Sequence, residues 1–563
     1  MDEILYYVPS KFIIVTGGVV SGLGKGITTA SIGVLLKSRG FKVTAIKIDP
    51  YVNVDAGTLR PTEHGEVWVT DDGGEIDQDL GHYERFLDLT IPKDHNITTG
   101  QVYKAVIERE RRGEYLGKTV QIIPHVTDEI KRRILLVAER EKPDFILVEI
   151  GGVSGDYENI PFLEAVRQMK LEGHPLIFVH VTYMPILRSL GEMKTKPTQH
   201  SVKALREIGI QPDFIVCRSE KPIDEVRREK TALFTNVSKD CIISNPDVEI
   251  IYELPLLFEE QSFGDKILEK FGLPKVKPKL DAWRQMVERA KNAYIPVRFA
   301  IVGKYFEIGE FRLPDSYVSV IEALRHASWS QSVKPIISTV DSQKLSDYKI
   351  AEETLKGYHG IIVPGGFGTA GVDGKINAIR YAREHGVPYL GLCFGFQLAV
   401  VEFARNIVGL KDAHTTEVDP NTPHPVIDLL PWQKEVLAKS GYGATMRLGG
   451  QIVLLKEGSL AHRLYGRKRI RERFRHRYEV NPEYVEILES HGLVFSGWSE
   501  KDEIRQVGEL PTHPFFIGSQ YHPEFTSRPM NPNPLFLGFV SAATKRFKKF
   551  FGKGEVELSE RAK

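Results

Sequence analysis

The strongest constraint on this chain is a short N-terminal succession. The apolar run Phe12-Ile13-Ile14-Val15 stops at Gly17-Gly18, a glycine-rich stretch runs on to Lys25-Gly26, and Ile27 to Ser38 reads as a helix. Strand, glycine turn and helix in that order aim backbone N–H groups and the positive end of a helix at one point, which suits an oxyanion. Further buried-strand candidates are Val43 to Ile48, Phe145 to Ile150, Leu176 to Val181 and Phe214 to Cys217, separated by helical stretches such as Asp128 to Arg140. This alternation predicts an α/β domain built on a mostly parallel sheet.

The stretch Gly17 to Gly26 resembles a phosphate-binding loop, with five residues rather than four between Gly18 and Gly24 and with Gly26 where Ser or Thr normally holds magnesium. Lys25 keeps the charge, so the missing hydroxyl must be replaced by other ligands. Asp77-Gln78-Asp79, and Glu149 at the end of an apolar strand, offer hard oxygen atoms where open α/β sheets bind ligands. A carboxylate at a strand end is by itself more ordinarily a helix cap or a solvated loop group; beside Lys25 it reads as a metal ligand.

Around Phe271 to Pro296 the strands cease, and Gly-Leu-Pro-Lys-Val-Lys-Pro-Lys leads into a polar helix, Ala282 to Ala293. A second α/β series then opens at Arg298 to Val302 and continues with Gly360 to Val363, Tyr389 to Leu392 and Phe516 to Gln520. The expected organisation is α/β with two domains: residues 1–272, a linker 273–296, a second domain 297–545, and a charged, mobile tail 546–563. No internal repeat relates the halves.

In the second half Tyr389-Leu390-Gly391-Leu392-Cys393-Phe394-Gly395-Phe396-Gln397 sets a cysteine between glycines, after an apolar strand and before a helix. This reads as a nucleophile elbow with sulfur, because small flanking residues allow a sharp strained turn and a helix N-terminus favours a thiolate. Downstream, Gln520-Tyr521-His522-Pro523-Glu524-Phe525 supplies a base and a carboxylate to orient it. With Pro364-Gly365-Gly366-Phe367-Gly368 upstream, the set resembles class I glutamine amidotransferases. The resemblance implies that Cys393 attacks the side-chain amide, His522 moves protons, and Gly366 with the backbone after Cys393 holds the oxyanion. It further implies that Phe394, Gly395, Phe396, Gln397, Glu417 and Arg477 hold glutamine. Arg477 ends a run from Arg467 that carries six arginines and one lysine. Ile470, Phe474 and Tyr478 interleave those charges, so the run reads as a strand with one wet face supplying Arg477 to a site, its neighbours merely solvated, rather than as an RNA-binding arm.

Seventy-five Lys and Arg against 74 Asp and Glu give no overall electrostatic reason for a nucleic-acid partner. Cys217, Cys241 and Cys393 lie far apart, without disulfide or zinc spacing, and no apolar run approaches the roughly 20 residues that span a bilayer. A cytoplasmic protein that binds neither membrane nor nucleic acid is expected.

Five strings in the first half carry a closer resemblance: Gly17 to Gly26, Lys47-Ile48-Asp49-Pro50-Tyr51, His64-Gly65-Glu66-Val67, Asp79-Leu80-Gly81-His82-Tyr83-Glu84-Arg85-Phe86 and Lys194-Thr195-Lys196-Pro197-Thr198-Gln199-His200. In this order they resemble the amidoligase domain of the CTP synthase family. The resemblance implies ATP phosphates on Gly22, Leu23, Gly24, Lys25, Gly26 and Ile27, with Lys25 and Lys47 countering charge on the transferred phosphoryl group. It implies Mg2+ on Asp79 and Glu149, and the ATP base near Asp247 and Val248. UTP is expected at Ser21, Lys194, Thr195, Lys196, Pro197, Thr198, Gln199 and Lys230, with CTP feedback at Asp156, Tyr157 and Glu158. The implied reaction phosphorylates the C4 oxygen of UTP, and ammonia then displaces phosphate to give CTP. An enclosed ammonia path near His64, a GTP activator at Thr445-Met446-Arg447-Leu448-Gly449, and a homotetramer that can stack into filaments complete the expectation. The chain departs from the family pattern at Gly22, Val153-Ser154 and Thr369-Ala370. Two other readings fit parts of the sequence: an amidotransferase acting on another acceptor, as in cobyric acid synthesis, and a filament-forming protein without turnover.

Overall fold

The first sheet follows from its apolar strands. β1 (Lys11–Gly17), β2 (Val43–Asp49), β3 (Asn96–Thr98), β4 (Phe145–Ile150), β5 (Leu176–Tyr183), β6 (Phe214–Ser219) and β7 (Ile242–Pro246) pair in the order β7-β6-β5-β1-β4-β2-β3, and each pair is parallel. β2 and β4 are buried throughout, as strands covered on both faces must be. The structure, a computed structural model, describes residues 10–561 apart from 21, 60–64, 188–190, 305–306, 309–310, 313, 367, 431–432 and 434–445. Ser21, His64 and Thr445, expected to be functional, lie outside the described residues.

A nine-stranded sheet organises the second half. β8 (Ile295–Gly303), β9 (Val333–Asp341), β10 (Gly360–Val363), β11 (Tyr389–Leu392), β12 (Arg447–Leu455), β13 (Arg469–His476), β14 (Val494–Ser499), β15 (Arg505–Glu509) and β16 (Phe516–Ser519) are ordered β9-β8-β10-β11-β16-β15-β14-β12-β13. The side from β9 to β16 is parallel, and the remainder is antiparallel. Apolar residues of β8, β10, β11 and the flanking helices form the core on its two faces.

The chain divides into two compact units, Met1–Thr58 with Glu75–Val287 and Leu59–Gly74 with Glu288–Lys563. This differs from the expected boundaries in two ways. The division falls inside the helix Asp281–Lys291, and residues 59–74 group with the second unit. The reason for the second difference is local packing. Trp68 is fully buried, edge-on to Phe525 at 4.9 Å. Arg473 donates to the Val69 carbonyl at 3.0 Å, Asp71 pairs with Arg471 at 2.7 Å, and the Asp71 carbonyl accepts from Gly450 N–H at 2.8 Å. Arg473 is thus buried rather than merely solvated, and Arg471 is ion-paired. The expected tail also begins inside an element: the helix Pro534–Arg561 runs through residue 546, and Phe547 is buried with Phe539, Val540 and Ala543.

Candidate active sites

In the first unit the glycine stretch leads from β1 into α1 (Lys25–Lys37). Lys25 is buried, its alkyl chain lies against Gly17, and its ammonium donates to the Gly152 carbonyl at 2.9 Å. The departure at Gly26 has a steric cause: a Cβ there would overlap the Asp79 carboxylate, standing 2.8 Å from Cγ. The carboxylate that opens α2 (Asp79–Leu87) therefore occupies the space a Ser or Thr would need.

Register explains the rest of this cluster. Lys47 and Glu149 are partners across β2 and β4, so their side chains share a face. The Lys47 ammonium pairs with Asp79, lies 3.1 Å from Glu149, and is 3.9 Å from both Asp49 and Asp77. Tyr83 O–H donates to Glu149, and the Asn96 amide donates to Asp49 at 2.6 Å. Burial works against ionisation throughout, and the ammoniums of Lys47 and Lys25 do not offset four carboxylates. Burial, with Asp79 and Glu149 nearby, pushes Asp49 up to about 6; burial, with Asp49 and Asp79, pushes Asp77 up to about 8; Glu149 is also raised by burial. Burial opposes Asp79 too, but Lys47 and then His82 hold it down to about 2. Desolvation lowers Lys25.

Among the described residues no three carboxylate, imidazole or thiolate groups close on one metal position; here they surround Lys47. The surplus of negative charge nevertheless fits a divalent cation with hard oxygen ligands. Asp49 and Asp77 have folded-state values above the ordinary 3.8. Their contribution to stability is complete below that value and is lost as pH rises through about 6 and about 8. Magnesium with ATP is accordingly expected to raise the melting temperature more at pH 8 than at pH 5, measured by calorimetry. An equal rise at both would show that this cluster does not hold the ion.

The expected nucleotide residues are spread over the same unit. Thr195, Thr198 and Gln199 are buried, with Gln199 donating to Thr195 at 3.1 Å. Lys194 pairs with Glu192 at 2.5 Å, while Lys196, Lys230, Asp156, Tyr157 and Glu158 are exposed and Pro197 half-buried. Asp247 pairs with Arg218 at 2.7 Å, an arginine that no sequence string marks. Also unsignalled is His180, buried between Thr16 at 2.8 Å and Ser201 at 2.6 Å; desolvation lowers it to about 3, so the ring is neutral.

In the second unit Cys393 stands between β11 and the helix α3 (Phe394–Phe403), at φ 52° and ψ −104°. That left-handed region is costly for a residue with a side chain, and its persistence is the strain expected of a nucleophile elbow. Gly395 is required beside it, because a Cβ there would overlap the Val363 carbonyl. β16 runs parallel next to β11, and Cys393 N–H donates to the Ser519 carbonyl at 2.7 Å. The residues following both strands therefore meet beyond their carboxyl ends. A Cβ on Gly365 would lie 3.1 Å from His522 Cε1 and 3.6 Å from Cys393 Cβ, which brings loop, base and thiol together.

His522 Nδ1 is 2.7 Å from Glu524 Oε1, and the ring stacks on Phe525 at 5.1 Å. Burial penalises the imidazolium, but the Glu524 and Cys393 charges outweigh it and push His522 up to about 10. The thiol also meets the Arg475 carbonyl and the Gln520 amide, each at 3.6 Å. Burial pushes Cys217 up to about 12, which marks it as an inert core thiol. Glu417 accepts from Gly368 N–H at 3.1 Å and is raised by burial. Arg477 is half-buried, and its carbonyl accepts from Gln433 at 2.6 Å. Gln397 donates to the Tyr478 carbonyl at 2.7 Å, and Phe394 and Phe396 are buried, with Phe396 packed against Gly518. Arg447, from the string expected near GTP, pairs with Glu479 at 2.8 Å and Asp502 at 2.7 Å.

A thiol on a strained strand-to-helix turn, served by a carboxylate-held imidazole and joined in one chain to a lysine-bearing phosphate loop, defines a glutamine-hydrolysing ligase. The family model described as CTP synthase N-terminus matches residues 11–273, and that described as class-I glutamine amidotransferase matches residues 312–542. A CTP synthase of Thermococcus gammatolerans is 57% identical over 540 residues, covering 95% of this chain and 99% of the relative. Those of Methanopyrus kandleri and Thermus thermophilus are 55% and 54% identical, each over 95% of this chain and over 99% and 97% of their own lengths. The chain belongs to the CTP synthase family. Among the described residues no helix is long and apolar enough to cross a membrane.

Proposed function

We propose that the first unit aminates UTP to CTP at the expense of ATP, through a 4-phosphorylated UTP, with ammonia that the second unit releases from glutamine. The observation that supports this best is that Lys25, Lys47, Asp79 and Glu149 gather in one unit and Cys393, His522 and Glu524 in the other, in a chain matching a CTP synthase over 95% of its length. Cys393 Sγ attacks the amide carbon of glutamine, with its proton passing to His522. Backbone N–H groups at Gly366 and after Cys393 hold the oxyanion, and His522 returns the proton to the departing nitrogen. Ammonia leaves, and water then opens the thioester to give glutamate.

In the first unit the carbonyl oxygen at C4 of UTP is a poor leaving group, and phosphoryl transfer from ATP makes it a good one. Lys25 and Lys47 set positive charge against the phosphates, and small residues of the loop let backbone N–H groups approach them. Asp79 and Glu149 would hold Mg2+, which supplies further charge neutralisation of the phosphates. Ammonia attacks C4, the C–O bond breaks, and phosphate departs. The same reading includes UTP contacts at Lys194 to Gln199 and Lys230, feedback by CTP near Asp156 to Glu158, activation by GTP, a homotetramer capable of filaments, and a cytoplasmic location.

The test is acceptor choice. With ATP, magnesium and ammonium, UTP is expected to be converted to a CTP product by ultraviolet difference and chromatography. Equal or better amination of a carboxylic acid acceptor, with UTP untouched, would replace this reading by that of a different amidotransferase.

A further inference from the structure

Beside the sulfur site lies a cation that the scheme above does not use. Lys375, in the helix Val372–Glu384, is wholly buried, and its Nζ has no hydrogen-bond partner among the described residues. The ammonium lies 5.3 Å from the centroid of the Phe394 ring, the residue that follows the nucleophile. A Cβ on Gly366 would stand 3.5 Å from this Nζ and 3.8 Å from Lys304 Cε. Lys304 is itself buried, with its Nζ 3.5 Å from the Gly368 carbonyl. Two lysines thus flank the glycine loop assigned to the oxyanion.

Burying an ammonium without a partner is costly, and a methionine or leucine of similar volume would avoid the cost. Its Nζ makes no direct hydrogen bond to a carboxylate among the described residues, so an anion forming nearby adds the close partner it lacks. We propose that Lys375 is a positioning residue for glutamine hydrolysis: its ammonium, lying behind the Gly366 loop, favours the Cys393 thiolate and the negative charge of the tetrahedral intermediate, an inference that rests on Cys393 being the nucleophile. The groups whose charge reaches it are Lys304, Cys393 and Glu417. Burial and then Lys304 bring it down to about 7, while Cys393 and Glu417 act in the opposite sense. Near neutral pH a new negative charge on this side of the site therefore secures its proton.

The experiment compares wild type with Lys375→Met and Lys375→Gln, following glutamate release and alkylation of Cys393 by iodoacetamide as functions of pH. The expected result for both is a fall in kcat of about tenfold with KM little changed, and an alkylation profile moved to higher pH, the direction that removal of a nearby cation gives a thiol. Lys375→Met is also expected to melt higher than wild type, more so at pH 6 than at pH 9. The wild-type lysine is held down at about 7 against its ordinary 10.5, so its burial penalty is complete below about 7 and fades as pH rises towards 10.5. A higher melting temperature with wild-type kcat and alkylation profile overturns the inference, as does a loss confined to KM. Should Lys375→Met fail to fold, Lys375→Gln decides by the same readouts. Glutamine hydrolysis that survives Cys393→Ala would overturn the underlying reading instead.

Discussion

Cys393→Ala is expected to lower glutamine-dependent CTP formation by at least about four orders of magnitude, as loss of a catalytic nucleophile does in other covalent enzymes. Formation from ammonium is expected to stay within about threefold of wild type, because the unit that makes CTP is intact. The magnitude follows from the local structure. Only the side chain at 393 is presented at φ 52° by the turn between β11 and its helix. Among the described residues the second unit holds no other thiol: Cys217, in the core strand β6, and Cys241 both belong to the first unit. Water attacking the amide directly would have His522 as its base but would lose the covalent step and its preorganised geometry. The same substitution replaces a residue in a left-handed conformation by alanine, which bears the same backbone strain, so stability should hold. The measurement is CTP formation from each nitrogen donor in parallel. Equal loss from both donors would mean that the cysteine supports the fold rather than the chemistry, and equal retention would mean that another group releases ammonia.

Much of this arrangement is legible in the order of residues because parallel sheets convert sequence into place. Phe145 to Ile150, Gly360 to Val363 and Tyr389 to Leu392 are strands with the expected bounds, since continuous β-branched and aromatic runs bounded by glycine leave little choice. Once strands are known, the residues at or just beyond the carboxyl ends of neighbouring strands gather into sites, which is why Lys25 and Glu149 in one unit, and Cys393 and His522 in the other, could be named. What could not be read depends on contacts between residues far apart in the chain. Residues 59–74 contain no long apolar period, yet Trp68 and Asp71 tie them to Phe525 and Arg471 of the second unit. The alternation of the basic run predicts a strand with a wet face; it does not report that Arg473, at an odd position like Arg471, turns under Trp68. Lys375 looks like a surface residue of an amphipathic helix. Only the packing of that helix against the glycine loop shows it to be buried.

The second large effect is expected at Lys47. Lys47→Met should lower CTP formation from glutamine and from ammonium alike by about three orders of magnitude, the upper range for removing one group aimed at developing charge. Glutamine hydrolysis at Cys393 should remain measurable. The variant also leaves Asp49, Asp77, Asp79 and Glu149 around an uncharged side chain, and breaking a buried ion pair from one side costs about 3–5 kcal/mol. The pH dependence separates this from a general packing defect. In wild type Lys47 keeps Asp79 down at about 2, so that pairing contributes stability above the ordinary carboxylate range and loses it as pH falls through that value. Without the ammonium all four carboxyl groups move upward; the folded state then holds protons that the unfolded chain has released, and the deficit grows as pH rises from about 4. The difference in melting temperature between wild type and Lys47→Met should therefore be larger at pH 8 than at pH 5. Magnesium should recover part of it at pH 8, because a divalent ion can take the ammonium's place among the same carboxylates while leaving the transferred phosphoryl group without its lysine. A variant restored in stability by magnesium but not in turnover would separate the two tasks of Lys47. Wild-type synthesis from ammonium would show instead that the phosphoryl group is transferred away from this cluster.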